Sequence, residues 1–522
     1  MPKVLIAEQI SEAGLQRLRD AGHEVDVRLA MSPDQLRETL PGVHALIIRS
    51  ATAVTAEVLS AGSDLIVVGR AGVGLDNVDV AAATDRGVMV VNAPQSNTVS
   101  AAEHTMALLL AQARNIPAAH AALSNGRWER SSWTGVELLG KTLGIVGLGR
   151  IGALVAQRAA GFGMRLVAHD PYVSDDRARE LMVELLDLDQ LVAESDFLTV
   201  HVARTPETIG LINAKRLQHA KPSLRVINVA RGGIIDESDL AVALASGVIA
   251  GAAIDVFDSE PCTDSPLFGF DQVVVTPHLG ASTNEAQEKA GITIAEQVSL
   301  ALAGEFVPNA VNIEASDVSE VGRPFVSLAE MLGRLFASLV ETLPAEVEIE
   351  FRGEIGGYDN RLAEIAFTKG LVANASDTAV SYVNAPAAAA RLGVEVRSSS
   401  TTVALDYLNV VTARGGGHAL GITLVGLSDE PHLVNLDDHT VDIPPSTHML
   451  VIRNDDLPGL IGLVGTTLGN AAVNISSLHL GRAANGETAM MVASVGEPVS
   501  ADLLDRLRAS DGVHSVCVLT ID

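Results

Sequence analysis

Two long stretches of this chain alternate short apolar runs with segments of helical spacing, and that alternation restricts the fold more than any other feature. In residues 1 to 98 the strand-like runs are Val4–Ala7, Val25–Val27, Ala45–Ile48, Leu65–Gly69 and Val88–Val91. Helical spacing fills Glu12–Ala21 and Pro33–Leu40 between them. From residue 142 to 276 the runs are Thr142–Val146, Met164–Ala168, Phe197–His201, Leu224–Asn228, Gly251–Asp255 and Val273–Thr276. Strands separated by helices pair in parallel and are covered on both faces, so the expectation is α/β with two doubly wound parallel sheets.

An Ala- and Leu-rich segment, Ser100–Ala113, reads as a buried helix connecting the two units. A helical stretch from about Thr283 to Ala303 carries the chain back to the first. Beyond Val311-Asn312-Ile313 the texture changes to mixed helices and strands with a Gly415-Gly416-Gly417 turn, an α+β intervening domain without a catalytic pattern. Residues 447 to 522 run strand–helix–strand–strand–helix–strand, the ferredoxin-like arrangement. The expected division is 1–98 with 286–313, then 99–285, 314–446 and 447–522.

Composition excludes several functions. With 36 Lys and Arg against 64 Asp and Glu, a formal charge of −28, and no basic run, the chain suits neither nucleic acid nor an anionic membrane surface. Two cysteines cannot build a disulfide framework or a cysteine-rich metal site, and no metal is expected. The amino terminus enters a strand without a signal peptide's apolar stretch, and no run approaches a membrane span of ~20 residues. A soluble cytoplasmic protein is expected.

The chemistry begins at Gly147-Leu148-Gly149-Arg150-Ile151-Gly152, between a strand and a helix. A GxGxxG string alone marks only a tight turn. Here the glycines permit close backbone approach, and the helix amino terminus offers N–H groups to a pyrophosphate. Asp170, at the end of the next strand, can accept from ribose hydroxyls and repel a 2′-phosphate, so NAD is expected over NADP. Arg231, Glu260 and His278 each follow a strand, where ligands bind in open α/β sheets. Oxidation of an alcohol needs a base, which an imidazole can be near neutral pH, and a carboxylate beside it favours the imidazolium formed. A guanidinium can hold a substrate carboxylate through two parallel hydrogen bonds. Singly each residue reads as ordinary surface or core; together around a dinucleotide crevice they read as a site.

Asn228-Val229-Ala230-Arg231-Gly232-Gly233, Asp255-Val256-Phe257 with Glu260-Pro261, and Pro277-His278-Leu279-Gly280-Ala281-Ser282-Thr283 resemble the motifs of the D-isomer-specific 2-hydroxyacid dehydrogenases. The resemblance implies a Rossmann-type NAD domain beside a flavodoxin-like substrate domain, with Arg231, Glu260 and His278 catalytic. It implies a cofactor set of Val73, Gly147, Gly149, Arg150, Ile151, Gly152, Asp170, Val202, Val229, Ala230, Asp255, Leu279, Gly280 and Ala281, with Asp255 contacting the nicotinamide end. The flanks of Arg49-Ser50 and Arg70-Ala71-Gly72-Val73-Gly74 resemble the phosphoglycerate-oxidising branch of that family. Two strand-end arginines suit a phosphate. The implied substrate set for 3-phospho-D-glycerate is Arg49, Ser50, Arg70, Gly72, Gly74 and Asn97, with Arg231 and His278. The segment around Trp128, Arg130 and Trp133 is implied to reach a neighbouring subunit.

The tail, with Asp456-Leu457-Pro458-Gly459 and Asn474, resembles the ACT module, which implies L-serine bound by Asn454, Asp456 and Asn474, feedback control of serine synthesis, and a homo-oligomer, most simply a tetramer. A dimerisation module without ligand competes with this. A glyoxylate- or lactate-type dehydrogenase and a non-enzymatic NAD sensor compete for the whole chain. Arg49, Arg70 and the appended tail count against the first, and the intact Arg231, Glu260 and His278 against the second.

Overall fold

In the computed structural model the first block forms a five-stranded parallel sheet of β1 (Lys3–Ile6), β2 (Glu24–Val27), β3 (Ala45–Ile48), β4 (Val67–Arg70) and β5 (Met89–Asn92). The structure describes every residue except 314–318, 320, 379, 427, 483–487 and 522, together with the Arg482 side chain. The expected domain junction after residue 313 therefore runs into residues outside the described ones.

The strand order is β2-β1-β3-β4-β5, so the winding reverses between β1 and β3. All four residues of β3 are buried, because helices cover both faces of the sheet and leave no side for polar alternation. The helix Asn284–Leu302 returns to cover this sheet, as its spacing predicts. Its Ala290, Ile294, Ala295 and Val298 join the core of Val4, Ile6, Ala45 and Ile47. Burying Ile294 and Val298 stabilises the lid by about 1.5–3 kcal/mol each. The approach is close: a Cβ on Gly14 would lie 2.6 Å from the Gly291 carbonyl oxygen where two helices cross.

The second sheet has seven parallel strands: β6 (Thr142–Val146), β7 (Arg165–His169), β8 (Glu184–Leu185), β9 (Phe197–Val200), β10 (Arg225–Asn228), β11 (Gly251–Ile254) and β12 (Val273–Val275). Their order is β12-β11-β10-β9-β6-β7-β8, with the reversal between β6 and β9, the arrangement of a Rossmann fold. The two-residue edge strand β8 had no apolar run to announce it. The connecting helix, Thr98–Ala113, packs Ala102, Met106 and Leu109 against this second sheet.

The third sheet comprises β13 (Glu346–Gly353), β14 (Glu395–Thr401), β15 (Asn409–Gly415), β16 (His418–Val425), β17 (Glu430–Leu436) and β18 (His439–Ile443). Gly416 and Gly417, at φ 58° and 83°, make the two-residue turn between β15 and β16 that only glycine adopts cheaply. The fourth sheet pairs β19 (His448–Asp455), β20 (Ile475–Arg482), β21 (Thr488–Val495) and β22 (Val513–Thr520) in the ferredoxin-like order β20-β21-β19-β22.

These last two units are not separately packed. Met449, Val451, Met490, Val492 and Leu519 of the fourth sheet share one apolar cluster with Phe325, Leu332 and Phe336 of the helix Arg323–Leu339. The other face of the same sheet buries Leu450 and Ile452 beneath its own helices, Leu460–Asn470 and Ala501–Arg508. No helix among the described residues is long and apolar enough to cross a membrane.

Candidate active site

Arg231, past the end of β10, reaches Asp76, past the end of β4, and the residues expected at the site from the first 285 positions follow strand ends of one sheet or the other. On the dinucleotide side, Gly147 has φ 90°, and a Cβ there would lie 2.6 Å from the His201 carbonyl oxygen and 2.7 Å from Val202. A Cβ on Gly152 would overlap the Gly147 carbonyl, whereas the space over Gly149 is open. Gly149 stands at the amino terminus of the helix Arg150–Ala160, where no side chain caps the exposed N–H groups. A glycine cradle closed on the protein side and open toward the crevice fits a pyrophosphate. Asp170 accepts from Leu148 N at 2.8 Å and Tyr172 N at 2.9 Å, which fixes its carboxylate at the rim of the turn.

Past the ends of β11 and β12 of the same sheet, His278 Nδ1 lies 2.6 Å from Glu260 Oε2. His278 sits at φ 54°, a left-handed conformation costing on the order of 1–2 kcal/mol for a residue with a side chain. Two contacts hold it there: its N–H donates to the Asp255 carbonyl at 2.8 Å, and the following two amides are tied down by the Asp255 carboxylate. Glu260 also accepts from Phe257 N at 3.0 Å. Burial acts to raise the Glu260 carboxyl, but the His278 and Phe257 hydrogen bonds outweigh it and leave the group below its ordinary range. The pair is poised as an acceptor of positive charge.

Asp255 is fully buried, accepting from Thr276 Oγ1 at 2.6 Å, Leu279 N at 2.7 Å and Gly280 N at 2.9 Å, with His104 Nε2 at 3.2 Å. Burial works against its ionisation and these donors overcome it, so its pKa is also lowered. This placement lets Asp255 fix the backbone of the Leu279–Gly280 loop. Val229 lines the same loop, since a Cβ on Gly280 would meet its Cγ1 at 2.8 Å. Ile151 packs beneath the turn, and Ala230 N is held by Asn228 Oδ1 at 3.0 Å.

Arg231 bridges the two sheets. Its Nε donates to Asp76 Oδ2 at 3.2 Å, and another guanidinium nitrogen donates to Ala230 O at 2.7 Å. A Cβ on Gly74 would overlap the Arg231 guanidinium, and one on Gly72 would overlap that of Arg70. Arg70 is largely buried with its Nε lacking a protein partner among the described residues. Burial first, then the neighbouring Arg231, pulls its pKa down to about 10, and it remains a cation at neutral pH. Arg49 lies within the same electrostatic neighbourhood. Three guanidiniums thus gather where the two sheets meet. Val73 presents its carbonyl to Asn92 Nδ2 at 2.7 Å, and Asn97 occupies the amino-terminal position of the connecting helix without a side-chain capping bond.

Asp76, Asn92 and His104 were passed over by the sequence reading. His104, the one imidazole on a helix rich in Ala and Leu, was the one with a visible signal.

The three expected effector residues are not brought together in one chain. Asn454, at the end of β19, is buried with its Oδ1 unpartnered among the described residues, and Asp456 follows it. Asn474 precedes β20, whose start aligns through β21 with the start of β19, since Ile475 and His448 both pair with Val495. At about 3.3 Å per residue, the length of β19 separates the two groups by roughly 20 Å.

Comparison with known proteins accords with this geometry. Residues 106–280 match the family of the D-isomer specific 2-hydroxyacid dehydrogenase NAD binding domain. Residues 322–421 match the D-3-phosphoglycerate dehydrogenase intervening domain. The chain is 45% identical over 528 residues to the D-3-phosphoglycerate dehydrogenase of Mycobacterium tuberculosis, covering 100% of this chain and 99% of that protein. It is 38% identical over 526 residues to the enzyme of the same name from Methanocaldococcus jannaschii, covering all of both. Among solved structures, the NAD-dependent formate dehydrogenase of Staphylococcus aureus in complex with NAD aligns with 32% identity and a TM-score of 0.53, covering 59% of this chain and 97% of that one. A glycine cradle with its acidic rim, an imidazole–carboxylate pair past the strand ends and full-length likeness converge on one assignment: the chain belongs to the D-3-phosphoglycerate dehydrogenase family of NAD-dependent oxidoreductases.

Proposed function

We propose that the chain oxidises 3-phospho-D-glycerate to 3-phosphohydroxypyruvate, the opening step of L-serine synthesis, with its phosphate held by Arg49 and Arg70 and its carboxylate by Arg231 and the Gly72–Gly74 loop. The observation that carries this reading is the His278–Glu260 pair, 2.6 Å apart, past strand ends of the same sheet that positions Arg231, beside which Arg70 and Arg49 gather. The Gly147–Gly152 cradle and Asp170 would hold NAD, which when bound would supply the hydride acceptor. His278 takes the C2 hydroxyl proton through Nε2, because Nδ1 is engaged by Glu260. Glu260, held ionised by its donors, stabilises the imidazolium that results. Arg231 orients C2 by gripping the carboxylate beside it. Asp170 selects NAD by repelling a 2′-phosphate.

A second reading concerns the tail: the fourth sheet is an ACT module that binds L-serine and inhibits. Because Asn474 lies a strand's length from Asn454 and Asp456, one small amino acid reaches all three only across two chains, which favours a homo-oligomer such as a tetramer. The segment holding Trp128, Arg130 and Trp133 offers a further contact, with Trp128 82% exposed. Two unpaired cysteines, Cys262 and Cys517, suit the reducing cytoplasm. The decisive experiment follows NADH absorbance with 3-phosphoglycerate, lactate and glycolate in parallel. Turnover confined to the phosphorylated acid supports the reading, and preference for an unphosphorylated one overturns it.

A further inference from the structure

The loop that carries Arg49 is held from both sides by two side chains with no role in the reaction as described. Glu8 stands just past the end of β1, the strand neighbouring β3, and Arg49 is the first residue after β3. One Glu8 oxygen accepts from Arg49 N at 2.9 Å and Thr52 N at 2.8 Å, and the other accepts from Ala51 N at 3.2 Å. From the opposite side, Asn77 Nδ2 donates to the Arg49 carbonyl at 2.8 Å and the Thr52 carbonyl at 2.6 Å. Two side chains thus close five hydrogen bonds on three residues of one four-residue loop, Arg49, Ala51 and Thr52. Asn77 belongs to the segment after β4 that also holds Gly72 and Gly74, and its carbonyl accepts from Val54 N at 2.8 Å. The phosphate-side and carboxylate-side loops are therefore joined to one another as well as to the sheet.

We infer that Glu8 and Asn77 are positioning residues for phosphate recognition, setting the backbone of residues 49–52 so that Arg49 meets the substrate phosphate. This rests on the substrate assignment proposed above.

A carboxylate beside an anion-binding arginine should weaken the site by repulsion. Glu8 instead spends its lone pairs on three backbone N–H groups, and a carboxylate, with about four acceptor positions, can satisfy all three where a hydroxyl or amide cannot. An arginine has several rotatable bonds, and anchoring its backbone removes the part of the search that the side chain cannot correct. Without the clamp, the loop keeps its connection but loses its fixed shape, and the guanidinium is presented over a wider volume.

The test uses the full-length enzyme and the ratio of kcat/KM for 3-phosphoglycerate to that for D-glycerate. Thermal unfolding and NADH binding serve as controls for folding. Glu8→Ala is expected to lower the ratio about tenfold, chiefly through KM for the phosphorylated acid. Asn77→Ala should act in the same direction. Glu8→Gln, which keeps one acceptor oxygen and removes the charge, should fall between Glu8→Ala and the unaltered enzyme. In an Arg49→Ala background, adding Glu8→Ala should change the ratio by less than about twofold, because the two act as one unit. If Arg49→Ala collapses the ratio while Glu8→Ala leaves it intact or lowers both substrates equally, the clamp is wrong and the substrate assignment stands. A Gln variant no better than Ala also overturns the clamp. If Arg49→Ala leaves the ratio unchanged, the phosphate assignment fails and this inference fails with it.

Discussion

Adding one methyl group at Gly74 separates a catalytic role for Arg231 from a structural one. The backbone at Gly74 lies outside the left-handed region, so alanine meets no conformational strain there. Its Cβ would lie 2.8 Å from Asp76 Oδ2 and closer still to the Arg231 guanidinium. Ordinary contact begins near 3.5 Å, so the carboxylate must give about 0.7 Å and the guanidinium roughly 1 Å or more. Both obstructing groups are ends of side chains and can move, so the fold should survive with a stability change within about 0.5 kcal/mol. The substrate carboxylate then meets a displaced partner. Losing a charge-assisted grip costs about 1.5–3 kcal/mol, which at about 1.4 kcal/mol per decade is a fall in kcat/KM of roughly 10- to 150-fold. The assay is steady-state oxidation of 3-phosphoglycerate by Gly74→Ala, with NADH affinity measured by fluorescence and unfolding by calorimetry. Gly152→Ala is the contrasting control: its Cβ would overlap a backbone carbonyl that cannot swing aside, so it should lose NADH binding. Near-normal kcat/KM in a folded Gly74→Ala enzyme would refute the argument.

His278→Ala should lower kcat by about 10³-fold or more while NADH still binds, with Glu260→Gln losing less; turnover within a few-fold of the unaltered enzyme in a pure preparation removes His278 from the mechanism. Asp170→Ala should weaken NAD and narrow the preference over NADP, read as the ratio of kcat/KM for the two cofactors, and an unaltered enzyme using both equally contradicts the assignment. Millimolar L-serine should bind the full-length protein in calorimetry and reduce activity, with a coupling of about 1–3 kcal/mol; because the implicated residues lie at opposite ends of the sheet, dilution to monomer should abolish binding. Serine binding that persists in a monomer rules out a site shared between chains.

Much of the chain was legible before its structure. Strands buried on both faces must be apolar at successive positions, which is why β1, β3, β6 and β10 stood out within a residue or two of their observed ends. The candidate residues Arg231, Glu260 and His278 were legible for a related reason: in a parallel sheet, the residues just past strand ends face the ligand crevice. What escaped were partnerships distant in sequence. Glu8 grips a loop 41 residues away, and Arg231 reaches Asp76 across 155 residues. An isolated Glu or Asn carries no periodic pattern, and its partners are backbone groups that every residue possesses. The shared core of the last two sheets escaped because an apolar sheet face looks the same whether it is covered by its own helices or by another unit.

The two doubly wound sheets, the dinucleotide turn and the kinds of residue available to react can be read from consecutive letters, since local periodicity and strand-end position are written there. Tertiary structure alone decided which of those residues meet. It put Asp76 on Arg231 and the clamp on Arg49, and it placed Asn474 a strand's length from Asn454, because strand order, unlike strand position, is settled by how whole sheets bury their faces.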